Sequence, residues 1–372
     1  MSAPRKVGFN ALFLDPGVSG GSETYLRALV PALVEGNPAV QFELATTRRG
    51  ARALSDEPWA DSVALLRLPC DDDEPARRTL VEQILLPRLA RRRGWDVLHS
   101  LANRGPARTA QPSVVTVLDV IFFHHRTMGL VSTHGMRWAV RGAVAGADAI
   151  IAISEAAADD IATTLGVDRA RITAIPLGPG REPSAPANPS IRRRLGLEQA
   201  RIVLCVAAKR PHKNQGLLVA ALPELPPDLH AVLVGHDEGY GAELRATARN
   251  LGVADRVHLV DYLPDEQLEG LWASAGCACF PTRAEGFGLP VLEAMRRGVP
   301  VACSDIPVLR EVAGDAAHYF DPSDPKAAAS AIEEAMADRS AGSRGKERSA
   351  GFTCERAAAR TFSVYERAVG GG

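Results

Sequence analysis

The chain has 372 residues, 46% of them apolar, which is too long for one ordinary core and supplies enough apolar material for two. Its net charge of −1 gives no general pull toward nucleic acid or an anionic membrane. Six scattered cysteines without a C-x-x-C pair argue against a zinc site and for buried thiols.

The opening "MSAPRKVGFNALFLDPG" lacks the charged start, long apolar run and cleavage site of a secretory leader. No apolar run reaches the roughly 18 residues that a membrane span needs, so a soluble cytoplasmic protein is expected. Short apolar runs then read as strands at 6–14, 40–46, 62–68, 96–100, 113–118, 149–153 and 172–175. Helical spacing lies between most of them, as at 22–35 and 128–145. This alternation implies a parallel sheet covered on both faces. In "LDPGVSGGSETYLRAL" a strand leads into a glycine-rich turn, with Ser22 placed to cap a helix beginning near Glu23. The G-x-x-G-G pattern is not the dinucleotide fingerprint and by itself reads as a tight turn. "LLPRLARRRGWDV" sets Arg88, Arg91, Arg92 and Arg93 beside apolar residues. It fits a solvated helix end better than a face for anionic lipid. His99 ends a strand and suits the core or the rim of a site equally.

"GPGREPSAPANPS", 178–190, is proline-rich and polar and reads as a linker. Strands resume at 201–207, 229–235, 256–260, 277–281 and 299–303. The expected organisation is two doubly wound α/β domains in tandem, 1–180 and 181–352, with ligands at the carboxyl ends of their strands. "ADRSAGSRGKERSAG" reads as a mobile connection to a last helix near 354–369. That helix suits either domain, and segment 353–372 is assigned to pack back on the first.

Two stretches of the second half carry chemistry. In "CVAAKRPHKNQGLL" a strand ends near Ala208, and a basic loop follows with Lys209, Arg210, His212 and Lys213. Positive charge at a strand's carboxyl end suits a diphosphate. Taken alone, an ordinary solvated loop fits better. Asn214 is read as the cap of the next helix. In "AEGFGLPVLEAMRRGVPV", 284–301, Glu285 follows a strand, Gly286 and Gly288 permit close approach to the backbone, and Pro290 suits a first helical turn. Free N–H groups at that helix start would attract a phosphate. Glu293, one turn in, can accept hydrogen bonds from a pair of sugar hydroxyls. The spacing alone fits equally a strand–turn–helix with two solvated glutamates.

"GVSGGSETY", "KRPHKN" and "EGFGLPVLEA", in this order, resemble the retaining glycosyltransferases of the glycogen-synthase-like family, family four. Members have the GT-B fold, two Rossmann-like domains facing across a cleft. The resemblance takes in most of the chain, including "ADAIIAISEAAADDI", "RITAIPLGPG" and nearly all of 256–325. It implies a retaining, metal-independent transfer of a sugar, a hexose or deoxyhexose, from a nucleotide-diphosphate sugar to an acceptor hydroxyl, without a cofactor. Glu285 matches the acid on the donor sugar, and Glu293 the acid on the ribose. Lys213 matches the lysine on the diphosphate. Gly286, Phe287, Gly288 and Leu289 match the turn facing sugar and phosphate. Gly20 and Gly21 match the N-domain loop over the phosphates, and Tyr262 and Leu263 lie where the family borders the base.

Two departures stand out. The family often has an arginine where this chain has Ala208, so either Lys209 or Arg210 supplies that charge or binding is weaker. It commonly has His-Asp where this chain has Leu118-Asp119. Asp119 is counted with Glu285 and Lys213 as catalytic, and Leu118 and His124 as sugar or acceptor contacts. A leucine there suits a donor lacking the hydroxyl that histidine would bind, a deoxysugar or pentose; a hydroxyl that points elsewhere, toward Asp119 or water, fits slightly better. "CDDDEP" carries Asp71–Asp73, which reads as a loop charge run rather than a metal-binding D-x-D. The expected partners are a nucleotide sugar and a hydroxyl acceptor, with no nucleic acid, and at most weak peripheral contact with a membrane surface. A nucleotide-sugar epimerase on the same fold and a non-catalytic nucleotide-sugar-binding protein are the alternatives.

Overall fold

The computed structural model describes residues 3–70, 74–125, 130–180 and 187–370. Asp71–Asp73 and the middle of the expected linker lie outside them. The chain divides into two compact units, Met1–Gly180 with Phe352–Gly372, and Arg181–Gly351.

The first unit is built on seven parallel strands. They are β1 (Lys6–Asn10), β2 (Gln41–Thr46), β3 (Val63–Arg67), β4 (Val97–Ser100), β5 (Ser113–Val117), β6 (Ala149–Ala152) and β7 (Ile172–Ala174). Their order, β3-β2-β1-β4-β5-β6-β7, reverses between β1 and β4. The central strands are buried along their whole length, which is why "SVVTV" reads as a continuous apolar run rather than an alternating one. Gly8 on β1 is fixed by packing, because a Cβ there would lie 2.0 Å from the Trp95 indole. Trp95 Nε1 donates to Glu43, 2.7 Å away, and Lys6 and Arg93 pair with the same carboxylate. Burial pulls the Glu43 carboxyl upward, but the hydrogen bonds from Arg93, Lys6 and Trp95 outweigh it and hold its pKa at about 2.

The helix Cys354–Gly370 belongs to this unit and packs on the helix Gly21–Gly36. Its Tyr365 hydroxyl lies 2.6 Å from His99 Nδ1. His99 Nε2 meets Thr116 Oγ1 at 2.8 Å, and that hydroxyl meets Tyr25 at 3.0 Å. All four side chains are buried, so His99 is a core histidine and not part of a rim. Burial pushes its pKa down to about 3. An unfolded histidine, with its usual value near 6.5, binds a proton that the folded one refuses. Stability of this unit is therefore expected to fall as pH drops from 6.5 toward 3, with this residue contributing about 1.4 kcal/mol per pH unit. Denaturant titrations of wild type and His99→Gln across that window should show a shallower slope in the variant; identical slopes would contradict the assignment.

The second unit is a parallel sheet of six strands. They are β8 (Arg201–Val206), β9 (Leu229–Val234), β10 (Val257–Val260), β11 (Ala275–Phe280), β12 (Val301–Ser304) and β13 (Ala317–Phe320). Their order is β10-β9-β8-β11-β12-β13, reversing between β8 and β11. Cys205, Cys277, Cys279 and Cys303 lie buried in these strands, and burial pushes the Cys205 and Cys277 thiols up to about 12. They are packing residues.

Two readings of this half change. β13 differs from the expected strands because "AHYF" is four residues long, with only its first and last residues buried and His318 and Tyr319 partly exposed between them. The segment read as a mobile connection forms the helix Ala341–Ser349, packed on the helix Leu289–Arg297. Ala341, Gly345 and Ser349 recur every four residues and are buried. A Cβ at Gly345 would lie 3.2 Å from Met295, so glycine lets the helices approach closely. Serine, glycine and arginine made the stretch look like a loop; the small residues are its contact face.

Candidate functional site

The two chemistry-bearing loops of the second unit leave β8 and β11, the strands that flank its topological switch point. Doubly wound sheets bind ligands at that place.

The loop after β8 points its two lysines in opposite directions. Lys209 is 1% exposed, and its ammonium donates to the Gly235 carbonyl, to the Val260 carbonyl at 2.9 Å and to Asp261 Oδ1 at 3.2 Å. It ties the ends of β8, β9 and β10 together, so it does not replace the arginine absent at Ala208. Arg210 is half-exposed and pairs with Glu238 at 2.6 Å. Lys213 Nζ lies 2.6 Å from Glu285 Oε1, both side chains being largely buried. Asn214 does not cap the following helix. It sits in the left-handed region instead of the extended one that a cap needs, and its amide points elsewhere.

The loop after β11 brings Glu285 to Lys213 and then starts the helix Leu289–Arg297. No side chain caps that helix, and Pro290 occupies its first turn. Gly288 has φ 101° and a Cβ there would meet Leu309 at 2.6 Å, so the turn requires glycine. Gly286 is not in the left-handed region, and its place in the motif is not explained by backbone angle. Phe287 is buried, as is Glu293 at 8% exposure. After β10, Tyr262 is 78% exposed while Leu263 is buried. Tyr262 thus presents a ring and Leu263 only its main chain.

In the first unit the expected residues are more dispersed. Gly20, φ 53°, stands at the N-cap of the helix Gly21–Gly36, which begins earlier than expected and takes Ser22 inside it. Space around Gly20 and Gly21 is open. Asp119 Oδ1 accepts from the Ile121 amide at 3.1 Å, starting the short helix Ile121–His124. Leu118 is buried just past β5. His124 Nε2 lies 2.9 Å from Asp160 and 3.0 Å from Thr164, so its ring is engaged with the helix Glu155–Leu165. His124 is thus a half-exposed contact to that helix. Among the described residues, no group of three or more His, Cys, Asp or Glu is arranged to hold a metal ion.

Residues 19–179 match the family description "Glycosyltransferase Family 4", and residues 188–350 match "Glycosyl transferases group 1". The chain belongs to the family-four-like glycosyltransferases of the GT-B fold. The order of the two matches follows the order of the two sheets. An MMP α-(1→4)-mannosyltransferase from Mycolicibacterium hassiacum is 31% identical over 230 residues, 59% of this chain and 54% of that protein. A GDP-mannose-dependent phosphatidylinositol monomannoside mannosyltransferase from Mycolicibacterium smegmatis is 28% identical over 352 residues, 87% of each chain. The chain spans about half the length of the first curated relatives it matches. Among solved structures, Anabaena Alr3699/HepE in complex with UDP and glucose superposes with a TM-score of 0.75 at 19% identity, over 97% of this chain and 99% of that one. Sucrose-phosphate synthase from Thermosynechococcus elongatus does so with 0.75 at 20% identity, over 99% and 100%. Both likenesses bear on the fold, two Rossmann-like domains in one glycosyltransferase chain.

Sequence reasoning missed Asp237 and Asn103. Asp237 accepts from the Gly239 and Gly241 amides and shapes the loop after β9. Asn103 Oδ1 accepts from the Leu118 amide at 2.6 Å. An aspartate two residues before a glycine, or an asparagine before an arginine, is too common in loops to single out.

Proposed function

We propose that this glycosyltransferase moves a sugar from a nucleoside-diphosphate sugar to an acceptor hydroxyl with retention of anomeric configuration. The Lys213–Glu285 pair carries the reading: a cation and an acid 2.6 Å apart at the switch point, beside a helix start that no side chain caps. A diphosphate there meets the Lys213 ammonium and the positive end of a helix. The names of the relatives support the reading: they include mannosyltransferases and inositol phosphate glycosyltransferases, and Anabaena HepE was crystallised with UDP. None of them is an epimerase.

In the proposed reaction the acceptor oxygen bonds to the anomeric carbon on the face from which the phosphate oxygen departs. The proton of the acceptor hydroxyl passes to that phosphate oxygen, so no strong protein base is needed. Lys213 and the 286–289 turn stabilise charge that grows on the leaving group. Glu285 orients the sugar and Glu293 the ribose, with the Tyr262 ring available to the base. The first unit is assigned to the acceptor. A cation and helix dipole already supply the neutralising charge, so activity is expected to persist in excess EDTA; loss restored by manganese would contradict this. A weak contact with an anionic surface is supported by exposed Leu80, Ile84 and Leu85 beside exposed Arg88, Arg91 and Arg92. Among the described residues no helix is long and apolar enough to cross a membrane.

The division between the two glutamates gives the test. Glu293→Ala is expected to weaken binding of free UDP or GDP about tenfold or more, since it removes charge-assisted hydrogen bonds to the ribose. Glu285→Ala is expected to leave free-nucleotide binding within about threefold and lower turnover instead. Calorimetric titration beside steady-state rates separates the two; equal damage to nucleotide binding by both variants would refute the assignment.

A further inference from the structure

Among the described residues, two that are not glycine have a positive φ, Asn103 at 52° and Asn214 at 56°. Each follows a strand that borders its unit's switch point. Left-handed backbone is unfavourable for any residue with a Cβ and least so for asparagine, so it persists where the surroundings hold it.

At Asn214 the surroundings are clear. The residue is buried, and its side-chain amide donates to the Pro281 carbonyl and to the Pro322 carbonyl, both at 2.9 Å. Both partners are acceptors, so the nitrogen must face them and both of its hydrogens are used. Pro281 begins the loop that leads to Glu285, and Lys213 precedes Asn214 directly. The same two loops are stitched again at His212, whose carbonyl accepts from the Arg283 amide at 2.9 Å and from Thr282 Oγ1 at 3.2 Å. The main chain of Asn214 takes part as well, since its amide bonds Pro211 and its carbonyl accepts from Leu217. One buried side chain thus fixes the backbone on either side of the Lys213–Glu285 contact.

We propose that Asn214 is a positioning residue for donor chemistry. By binding the ends of β11 and β13 from the loop after β8, it holds the Lys213 ammonium at the distance from Glu285 that the transferred group requires. It touches no substrate and acts through Lys213. This inference rests on the donor assignment above and adds the element that sets its geometry.

Asn214→Gly tests it, because glycine accepts the left-handed backbone freely and removes only the amide. Hydrogen exchange at amides 282–286 is expected to quicken at least about tenfold in the variant while the rest of the unit changes less. Turnover is expected to fall on the order of tenfold by misplacement of Lys213. In a Lys213→Ala background the same change should lower turnover less than about twofold, because the residue it positions is gone. Asn214→Asp, which turns acceptors toward two carbonyls, should lose more than the glycine variant. Unchanged exchange at 282–286, or an equal turnover loss with and without Lys213, would overturn the proposal. The exchange readout needs no nucleotide. If the wild type binds neither UDP nor GDP, the donor assignment fails, while exchange still decides whether Asn214 holds the loop.

Discussion

Lys213→Ala is expected to lower turnover on the order of a hundredfold or more, with a much smaller change in thermal stability. The reason is where charge develops. In the ground state the ammonium is balanced by Glu285 at 2.6 Å. As the bond to the phosphate oxygen breaks, negative charge grows on the leaving group, and a cation held beside it stabilises the transition state more than the bound donor. The pair is largely buried, so solvent screens it little. Alanine also leaves Glu285 uncompensated beside an incoming diphosphate, which adds to the loss. Lys213→Arg, which retains charge but changes reach, should recover part of the rate. Wild-type turnover in Lys213→Ala would remove the diphosphate from this loop.

Lys209→Ala, four residues earlier, is expected to do the reverse. The ammonium is buried and satisfies the carbonyls of Gly235 and Val260, at the ends of β9 and β10. Removing it leaves the Gly235 carbonyl without this donor, while the Val260 carbonyl keeps the Gly235 amide, so a loss of about 1–3 kcal/mol from this unit is expected. Free-nucleotide affinity, measured on the folded fraction, should change little. Chemical denaturation of the variant gives the first quantity and calorimetry the second. A fall in affinity like that of Lys213→Ala with unchanged stability would show that Lys209, after all, faces the donor.

The two lysines illustrate how far the sequence could be read. Strands such as "RIVLCV" and "SVVTV" announced themselves because central parallel strands, buried on both faces, are apolar nearly throughout, and twelve of the thirteen strands among the described residues were legible as short apolar runs. The strand–turn–helix that carries Glu285, Gly288, Pro290 and Glu293 was legible because a strand end, a glycine-rich turn and a proline at a helix start leave little freedom between them, whereas the roles given to the two glutamates came from the family resemblance and not from the spacing. Lys209 and Lys213 were indistinguishable in "KRPHKN", since which side chain turns inward depends on carbonyls contributed from 235 and 260. Asn214 misled for the same reason: its amide partners lie at 281 and 322, far outside any local pattern. His124 and His99 also differ only by long-range partners, Asp160 on the surface and Tyr365 in the core. The helix Ala341–Ser349 was hidden because close helix packing uses the same glycine and serine that loops do.

The most direct measurement is product analysis by NMR after mixing the protein with a panel of nucleoside-diphosphate sugars and sugar or polyol acceptors. The account predicts a new glycosidic bond whose anomeric configuration matches that of the donor, with release of the nucleoside diphosphate, and loss of both signals in Lys213→Ala. A donor altered without any acceptor, a product of inverted configuration, or the same product from Lys213→Ala at the wild-type rate would contradict it.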